Sequence, residues 1–385
     1  MSNCHHIHSH NQHKNNVFSF KISKLHRILL IAIILLALPH NAFTQTQTPL
    51  TIDNYSFTQL NPTEQIAYQA IEDCITHLTP SWDCGSITQD TIQKAYDSLL
   101  LDHPEYYWTD SYTYVTSYIN NVISGHRVEF SYTMTANQIS RTNSEITQAL
   151  YDIVDSLDLG DGSTYSTVKA VYDYLINTCT YDELNLDQSL YSVMVNHSGV
   201  CASFAKAFEF ILQCLQIPST TITGKLTQTQ GPLSTTLGHA WNLVYIDGLW
   251  YHVDVTSGLA VSSSYDLARY RFLLIPTSEI LKTHQIQNPV PIPDCSSTSL
   301  DFFKLNNLYV PTYNRSSFAN ALAQAATLGY QPTVKLGSHA AFANAVDDLF
   351  NNSGIFPVLK DALGLTPTTL SYLLDDSNLT IIILP

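Results

Sequence analysis

Charge is scarce in this chain. Asp, Glu, Lys and Arg make up 13% of its 385 residues, and 17 cations stand against 32 acids for a formal net charge of −15. A surface so poor in cations is repelled by phosphate backbones, which argues against nucleic acid as a partner. No Cys-x-x-Cys occurs, and no His-x-x-x-His outside the His-rich leader, so a zinc site has no local signature. No cofactor is expected. Long apolar runs are missing as well: the stretch Ile28 to Leu38 is well short of the about 20 residues that span a bilayer.

What is present is enough apolar material for a sizeable core, 45% of the residues, in a length that suits two or three compact units. The low charge, with 23 Tyr and much Ser, Thr and Asn, leans toward an exported protein. The leader points the same way. Lys21, Lys24 and Arg27 precede the apolar run, and Pro39 follows it. A basic stretch before an apolar core of this length is a secretory signal. No clean Ala-x-Ala marks a cleavage site, so an uncleaved N-terminal anchor is the alternative. Either way the rest of the chain is expected outside the cytosol (periplasm, cell envelope or extracellular space), with the membrane a partner only through an uncleaved leader. No acid precedes Asp53, so loss of the four cations Lys14, Lys21, Lys24 and Arg27 takes the −15 of the whole chain to −19. His5, His6, His8, His10 and His13, with Cys4, read either as a metal-binding tract or as an unstructured leader.

The pattern divides into a leader (1–44), an N-terminal α/β region (45–135), a catalytic core (136–288) and a small C-terminal α/β unit (294–385), with Pro289 to Pro293 as a linker. Asn61-Pro62-Thr63-Glu64 signals a helix start, and a second helix is expected over Ser86 to Leu101. Tyr112 to Ile123 and Arg127 to Met134 alternate like paired strands, and Ile139 to Leu157 and Ser166 to Asn177 read as helices. Helices are expected again over Ser317 to Leu328 and His339 to Asn351, each holding Phe-Ala-Asn-Ala, with a final strand at Leu379 to Leu384. Of the seven Cys, Cys74 and Cys84 are close in sequence across a turn and are the pair expected to bridge in an oxidising compartment.

Chemistry concentrates between 199 and 256. After Gly199-Val200-Cys201, apolar residues fall at Phe204, Ala205, Phe208, Ile211, Leu212 and Leu215, the spacing of a helix with one buried face, closed by Pro218. Cys201 is thus expected at a helix N-terminus. There the dipole favours a thiolate, and free N–H groups suit an oxyanion. Farther on, Asp247-Gly248 lies between two aromatic-rich runs, a two-residue hairpin signal. Counting outward pairs Ile246 with Leu249, Tyr245 with Trp250, and Trp241 with Asp254. His239 and Asp254 then become diagonal neighbours on one sheet face. A slip of one residue would separate them. Trp241 shares that face, either walling a cleft or packing in the core. The polar stretch Lys225 to Leu237 is expected as a loop bordering the site.

A helix-borne thiol and a strand-borne His–Asp pair form the constellation of nucleophilic acyl transfer. Val200-Cys201 at a helix head, then His239-Ala240-Trp241-Asn242, then Trp250-Tyr251-His252-Val253-Asp254-Val255-Thr256, resembles the transglutaminase-like superfamily, a group of bacterial exported and other proteins related to papain-type cysteine proteases. The resemblance is specific over about residues 165 to 256. Asp102-His103-Pro104-Glu105 before aromatics extends it weakly, although His103 reads better as part of a structural turn before an edge strand. It implies an α+β fold in which a helix bearing the Cys packs on an antiparallel sheet bearing the His and the Asp. It further implies Cys201 as nucleophile, His239 as base and acid, and Asp254 as orienter. An oxyanion donor upstream of the nucleophile is implied too, for which Tyr181 and Tyr191 are the candidates. Ala202-Ser203 and Ser257-Gly258 depart from the family's pattern and bear on substrate preference. The expected activity is acyl transfer on a protein or peptide substrate through a thioester, as a peptidase or amidase, a glutamine deamidase or a transglutaminase. A catalytically silent binding or scaffold module at the cell envelope is the alternative.

Overall fold

The computed structural model describes residues 54–185, 187–230, 233–262 and 265–384. The leader, with its His-rich run and apolar stretch, and the Gln/Thr-rich residues 45 to 52 lie outside the described residues. Among those described, no helix is long and apolar enough to cross a membrane.

The first described elements follow the local signals closely. Helix α1 (Pro62–His77) starts with a capping box. The Asn61 side chain accepts from the amides of Thr63 and Glu64, and the Glu64 carboxylate accepts from the amide of Asn61. Helix α2 (Gln89–Asp102) starts three residues later than expected, at the Thr88 cap, because Ile87 first closes a turn on the Cys84 carbonyl. Strands β1 (Ser81–Gly85), β2 (Thr109–Ile119) and β3 (Val122–Tyr132) form a sheet ordered β1-β3-β2. The break between the long strands is not near 124–126, as the alternation suggested, but at Asn120 and Asn121, with φ of 52° and 63°. Asn tolerates the left-handed region that a tight hairpin demands. His103 sits in the turn into edge strand β2, with Nδ1 2.8 Å from Glu105. Cys74 and Cys84 are buried in one apolar cluster as free thiols, contrary to the expected bridge.

In the middle of the chain, α3 (Ala136–Ser156) and α4 (Thr164–Thr178) lead to a two-residue parallel pairing of β4 (Thr180–Tyr181) with β5 (Ser198–Gly199). Helix α5 (Cys201–Cys214) follows at once. It packs on an antiparallel sheet ordered β8-β7-β6-β9, built from β6 (Ser219–Gln230), β7 (Leu233–Ile246), β8 (Leu249–Val253) and β9 (His284–Ile286). Phe204, Phe208 and Ile211 of α5 are fully buried, as the helical spacing requires. The β7–β8 register matches the count from Asp247-Gly248, with Ile246 opposite Leu249 and Tyr245 opposite Trp250. Both turn residues have positive φ, 51° and 87°. The stretch Lys225 to Leu237 is not a polar loop: it lies largely in the paired arms of β6 and β7. Its run of Thr and Gln has no apolar alternation, a pattern that hydropathy alone cannot separate from a loop. Helix α6 (Val255–Val261) follows β8 directly.

The remaining residues build a mixed sheet, β10 (Tyr309–Val310), β11 (Thr333–Leu336), β12 (Ser371–Asp375) and β13 (Thr380–Leu384), ordered β10-β11-β13-β12. Helices α7 (Arg315–Thr327), α8 (His339–Val346) and α9 (Ile355–Leu363) accompany it. Phe318 and Phe342 of the two Phe-Ala-Asn-Ala stretches are buried in the same cluster. The topology does not repeat, however: β10 and β11 are parallel, whereas β11 and β13 are antiparallel. The stretch Pro289 to Pro293 is no free spacer. Val290 is buried in the cluster of α1, α2 and β3, and the Tyr55 hydroxyl donates to the Pro291 carbonyl at 3.0 Å. The molecule is thus an α+β protein whose Cys-bearing helix lies on an antiparallel sheet.

Candidate active site

Three elements converge on the thiol. Cys201 is the first residue of α5, and Val200 before it makes no side-chain cap to the first-turn N–H groups. Gly199 allows the close entry: a Cβ there would stand 2.8 Å from the Cβ of Ser203 and 2.9 Å from a methyl of Val193. His239 lies in β7 opposite Gly224 of β6. Its Nε2 lies 2.8 Å from Oδ2 of Asp254, and its side chain also hydrogen-bonds Cys201. With Nε2 committed to the carboxylate, Nδ1 is the ring nitrogen left for sulfur. Asn242, two residues on, donates to the Ala205 carbonyl at 3.0 Å and ties β7 to the helix. Cys201, His239 and Asp254 are therefore brought together, with Asp254 just past the end of β8.

Asp254 does more than the hairpin count foresaw. It is the N-cap of α6: Oδ1 accepts from the Ser257 amide at 3.0 Å and the Thr256 hydroxyl at 2.9 Å. Oδ2 serves two imidazoles, His239 and His284, the latter at 2.9 Å. Burial pushes the Asp254 carboxyl up. The neighbouring imidazoles outweigh it, with His239 first, and hold the group well below the usual carboxylate range. Burial pulls His239 down, but the charge and hydrogen bond of Asp254 raise it to about 10. For Cys201, burial pushes the thiol up. The hydrogen bond and charge of His239, aided by the Ala240 amide, bring it below its ordinary value. The arrangement favours a thiolate beside an imidazolium, the reactive form of a cysteine nucleophile.

His284 is the residue that the sequence reading missed. It belongs to β9, where it pairs with Leu226, two residues from Gly224, so it shares a sheet face with His239. Its Nδ1 faces the Thr283 hydroxyl at 2.8 Å. Gly224 permits that strand pairing, since a Cβ there would overlap the Gln285 carbonyl oxygen. No short-range motif announces a histidine 30 residues beyond its carboxylate. His239, Asp254 and His284 are buried, with donor atoms within 4.8 Å of one another, and among the described residues they are the group close enough to hold a cation. Their direct N···O contacts satisfy the donors as hydrogen bonds.

Trp241 proves to be a core residue. It is 1% exposed, stacks on His239 at 6.0 Å between centroids, and donates from Nε1 to Nδ1 of His252 at 3.0 Å. Burial takes His252 down to about 3, so it is the neutral acceptor this contact needs. Of the two tyrosines, Tyr181 adjoins Cys201, whereas Tyr191 turns away and donates to Glu145 at 2.7 Å. A cleft of about 590 Å³ opens beside His239. Tyr181, Glu183, Leu226, Leu237, Arg271 and Phe272 are among its walls, so the β6–β7 hairpin borders the site as expected.

Residues 151–255 match the model of the transglutaminase-like superfamily. Among solved structures the chain is similar to a TGase, at 16% identity over 37% of this chain and 44% of that one, with a TM-score of 0.26. It is also similar to a candidate cysteine protease from Cytophaga hutchinsonii, at 15% identity over 47% and 70%, with a TM-score of 0.26. A third is the periplasmic domain of TgpA from Pseudomonas aeruginosa, at 18% identity over 35% and 56%, with a TM-score of 0.23. The chain thus spans less than half the length of the TGase. No curated protein matches it. The stretch that matches the family model carries the Cys201 helix, the His239 strand and Asp254, and over that stretch the chain has a transglutaminase-like core.

Proposed function

We propose that the chain is an exported cysteine-dependent amide acyl-transfer enzyme with Cys201 as nucleophile, His239 as base and acid, and Asp254 as orienter. The observation that carries this reading is His239 itself, held by Asp254 at 2.8 Å on one side and hydrogen-bonded to Cys201 at the uncapped head of α5 on the other. Three such groups in that order and contact supply every proton and charge that thioester chemistry needs.

The Cys201 thiolate attacks the carbonyl carbon of a peptide-like amide. Negative charge develops on the carbonyl oxygen, where N–H groups of the first turn of α5 and the Tyr181 hydroxyl act as donors. The C–N bond then breaks as the His239 imidazolium gives its proton to the leaving amine. A thioester on Cys201 remains. Water, deprotonated by neutral His239, releases an acid; an amine in its place releases a new amide. Hydrolysis of peptide-like bonds is the reading favoured here, with a protein or peptide as substrate.

Labelling with iodoacetamide across pH, followed by site mapping, tests the scheme. Cys201 is expected to react with an apparent pKa well below the about 8.5 of a free thiol, and His239→Ala to abolish that preference. Cys201→Ala should remove turnover while leaving the fold intact. Turnover that survives Cys201→Ala would sink the scheme. A Cys201 inert to labelling would leave a binding module.

A further inference from the structure

A second cleft lies beside the head of α5. Ala202 and Ala240, the chain successors of Cys201 and His239, are in its wall with Leu101, Gln188, Lys206 and Asn288. Ala202 and Lys206 are four apart on α5, so their Cβ atoms stand one above the other, about 5–6 Å apart. The lysine stem therefore starts one helical turn beyond Ala202, the residue next to the nucleophile.

The Lys206 amine makes no hydrogen bond or ion pair with another of the described residues, and the carboxyls near it are committed elsewhere. Glu209, fully buried one turn on, takes the Thr221 hydroxyl and the Gln213 amide. Burial pushes its carboxyl well above the usual range, which weakens it as a counter-ion. The Asp187 carboxylate accepts from the Ser189 amide at 2.8 Å. Asp97, also in the wall, accepts from Gln93 at 2.8 Å and makes no ion pair with Lys206. Burial pulls the Lys206 amine below its ordinary value, and the charges of Glu209 and Asp187 offset that loss of hydration only in part. In the first cleft, by contrast, Arg271 is held by Asp375 at 3.2 Å.

We propose that the second cleft is a subsite for a carboxylate carried about one residue from the reacting amide, bound by the Lys206 ammonium. The proposal rests on the catalytic reading above and adds to it a substrate class, acidic or carboxyl-terminal peptides. An incoming carboxylate would complete the counter-charge that Glu209 and Asp187 supply only in part, and in this partly enclosed place the attraction is stronger than at an open surface.

Alkylation of Cys201 by paired probes tests it without a known substrate. N-iodoacetylglycine against N-iodoacetylglycinamide presents a terminal carboxylate. N-iodoacetyl-aspartamide with a free side chain against its asparagine counterpart presents a side-chain one. In the wild type the acid of at least one pair should label Cys201 at least about fivefold faster than its amide. The chain's net charge of −15 opposes anionic probes, so such a preference must be local. Lys206→Met should bring the ratio to within about twofold of unity while the iodoacetamide rate holds, and Lys206→Arg should keep the preference. The pair that shows it names the source of the carboxylate. No acid preference, or one that survives Lys206→Met, overturns the subsite alone. A Cys201 inert to every probe overturns the catalytic reading and the subsite with it.

Discussion

At the scale of single residues, the site turns on one carboxylate that serves four donors. The Asp254 oxygens take His239, His284, Thr256 and the Ser257 amide, which is why a group with no exposure stays ionised. Asp254→Asn keeps the size but presents an amide where an anion fixed the imidazole tautomer. Turnover should fall by about 10⁴-fold, measured as kcat on any peptide substrate found. The pH dependence follows from the pair as a unit. Alkylation of Cys201 needs only the thiolate, so it should rise below the ordinary thiol range and stay high. Turnover needs the imidazolium as well, so it should fall as pH passes about 10, where His239 loses its proton. A turnover profile that follows alkylation up to pH 11 would show that His239 is not the acid.

Elements place these residues through strand parity. His239 opposite Gly224, and His284 opposite Leu226, put two imidazoles on one face because the side-chain period of a strand is two. Gly224 is the point where β9 comes close enough for this. Gly224→Ala would drive a methyl into the Gln285 carbonyl and to 2.9 Å from the Trp241 ring. The expected cost is about 1–3 kcal/mol of stability or more, read from denaturant unfolding. Since β9 must move to relieve it, His284 would leave Asp254 and kcat should fall with stability. A stable variant with unchanged kcat would remove His284 from any positioning role.

For the whole molecule, the site's electrostatics should appear in stability against pH. Asp254 is held below its unfolded value, so its contribution is complete above about pH 4 and is lost as pH falls through the folded value. His239 is raised to about 10, so its contribution is complete below about pH 6.5 and is lost as pH climbs to about 10. The difference in Tm between the wild type and Asp254→Asn should therefore be largest between about pH 4 and 6.5 and shrink on both sides. A difference that grows steadily toward alkaline pH would contradict this pairing. The contact of Arg271 with Asp375 also ties the C-terminal sheet to the wall of the first cleft.

Local signals were enough for much of the frame. The capping box at Asn61, the buried stripe of α5 and the Asp247-Gly248 turn are short-range matters of hydrogen bonding, helical period and backbone conformation, and each can be read from neighbouring residues. The same turn settled the register that joins His239 to Asp254, because a two-residue hairpin allows a single alignment. The alternation of Tyr112 to Ile123 runs on past the Asn120-Asn121 turn, so periodicity alone does not locate that turn. The polar arms of the β6–β7 hairpin read as a loop because their residues carry no apolar alternation. Only the tertiary structure brought β9 beside β6 and so His284 to Asp254, set Tyr181 beside Cys201 while Tyr191 turned to Glu145, and placed Lys206 in the wall of a cleft. Those outcomes depend on which distant backbone segments approach each other and on how deeply each charge is buried, and neither quantity belongs to any short stretch of chain.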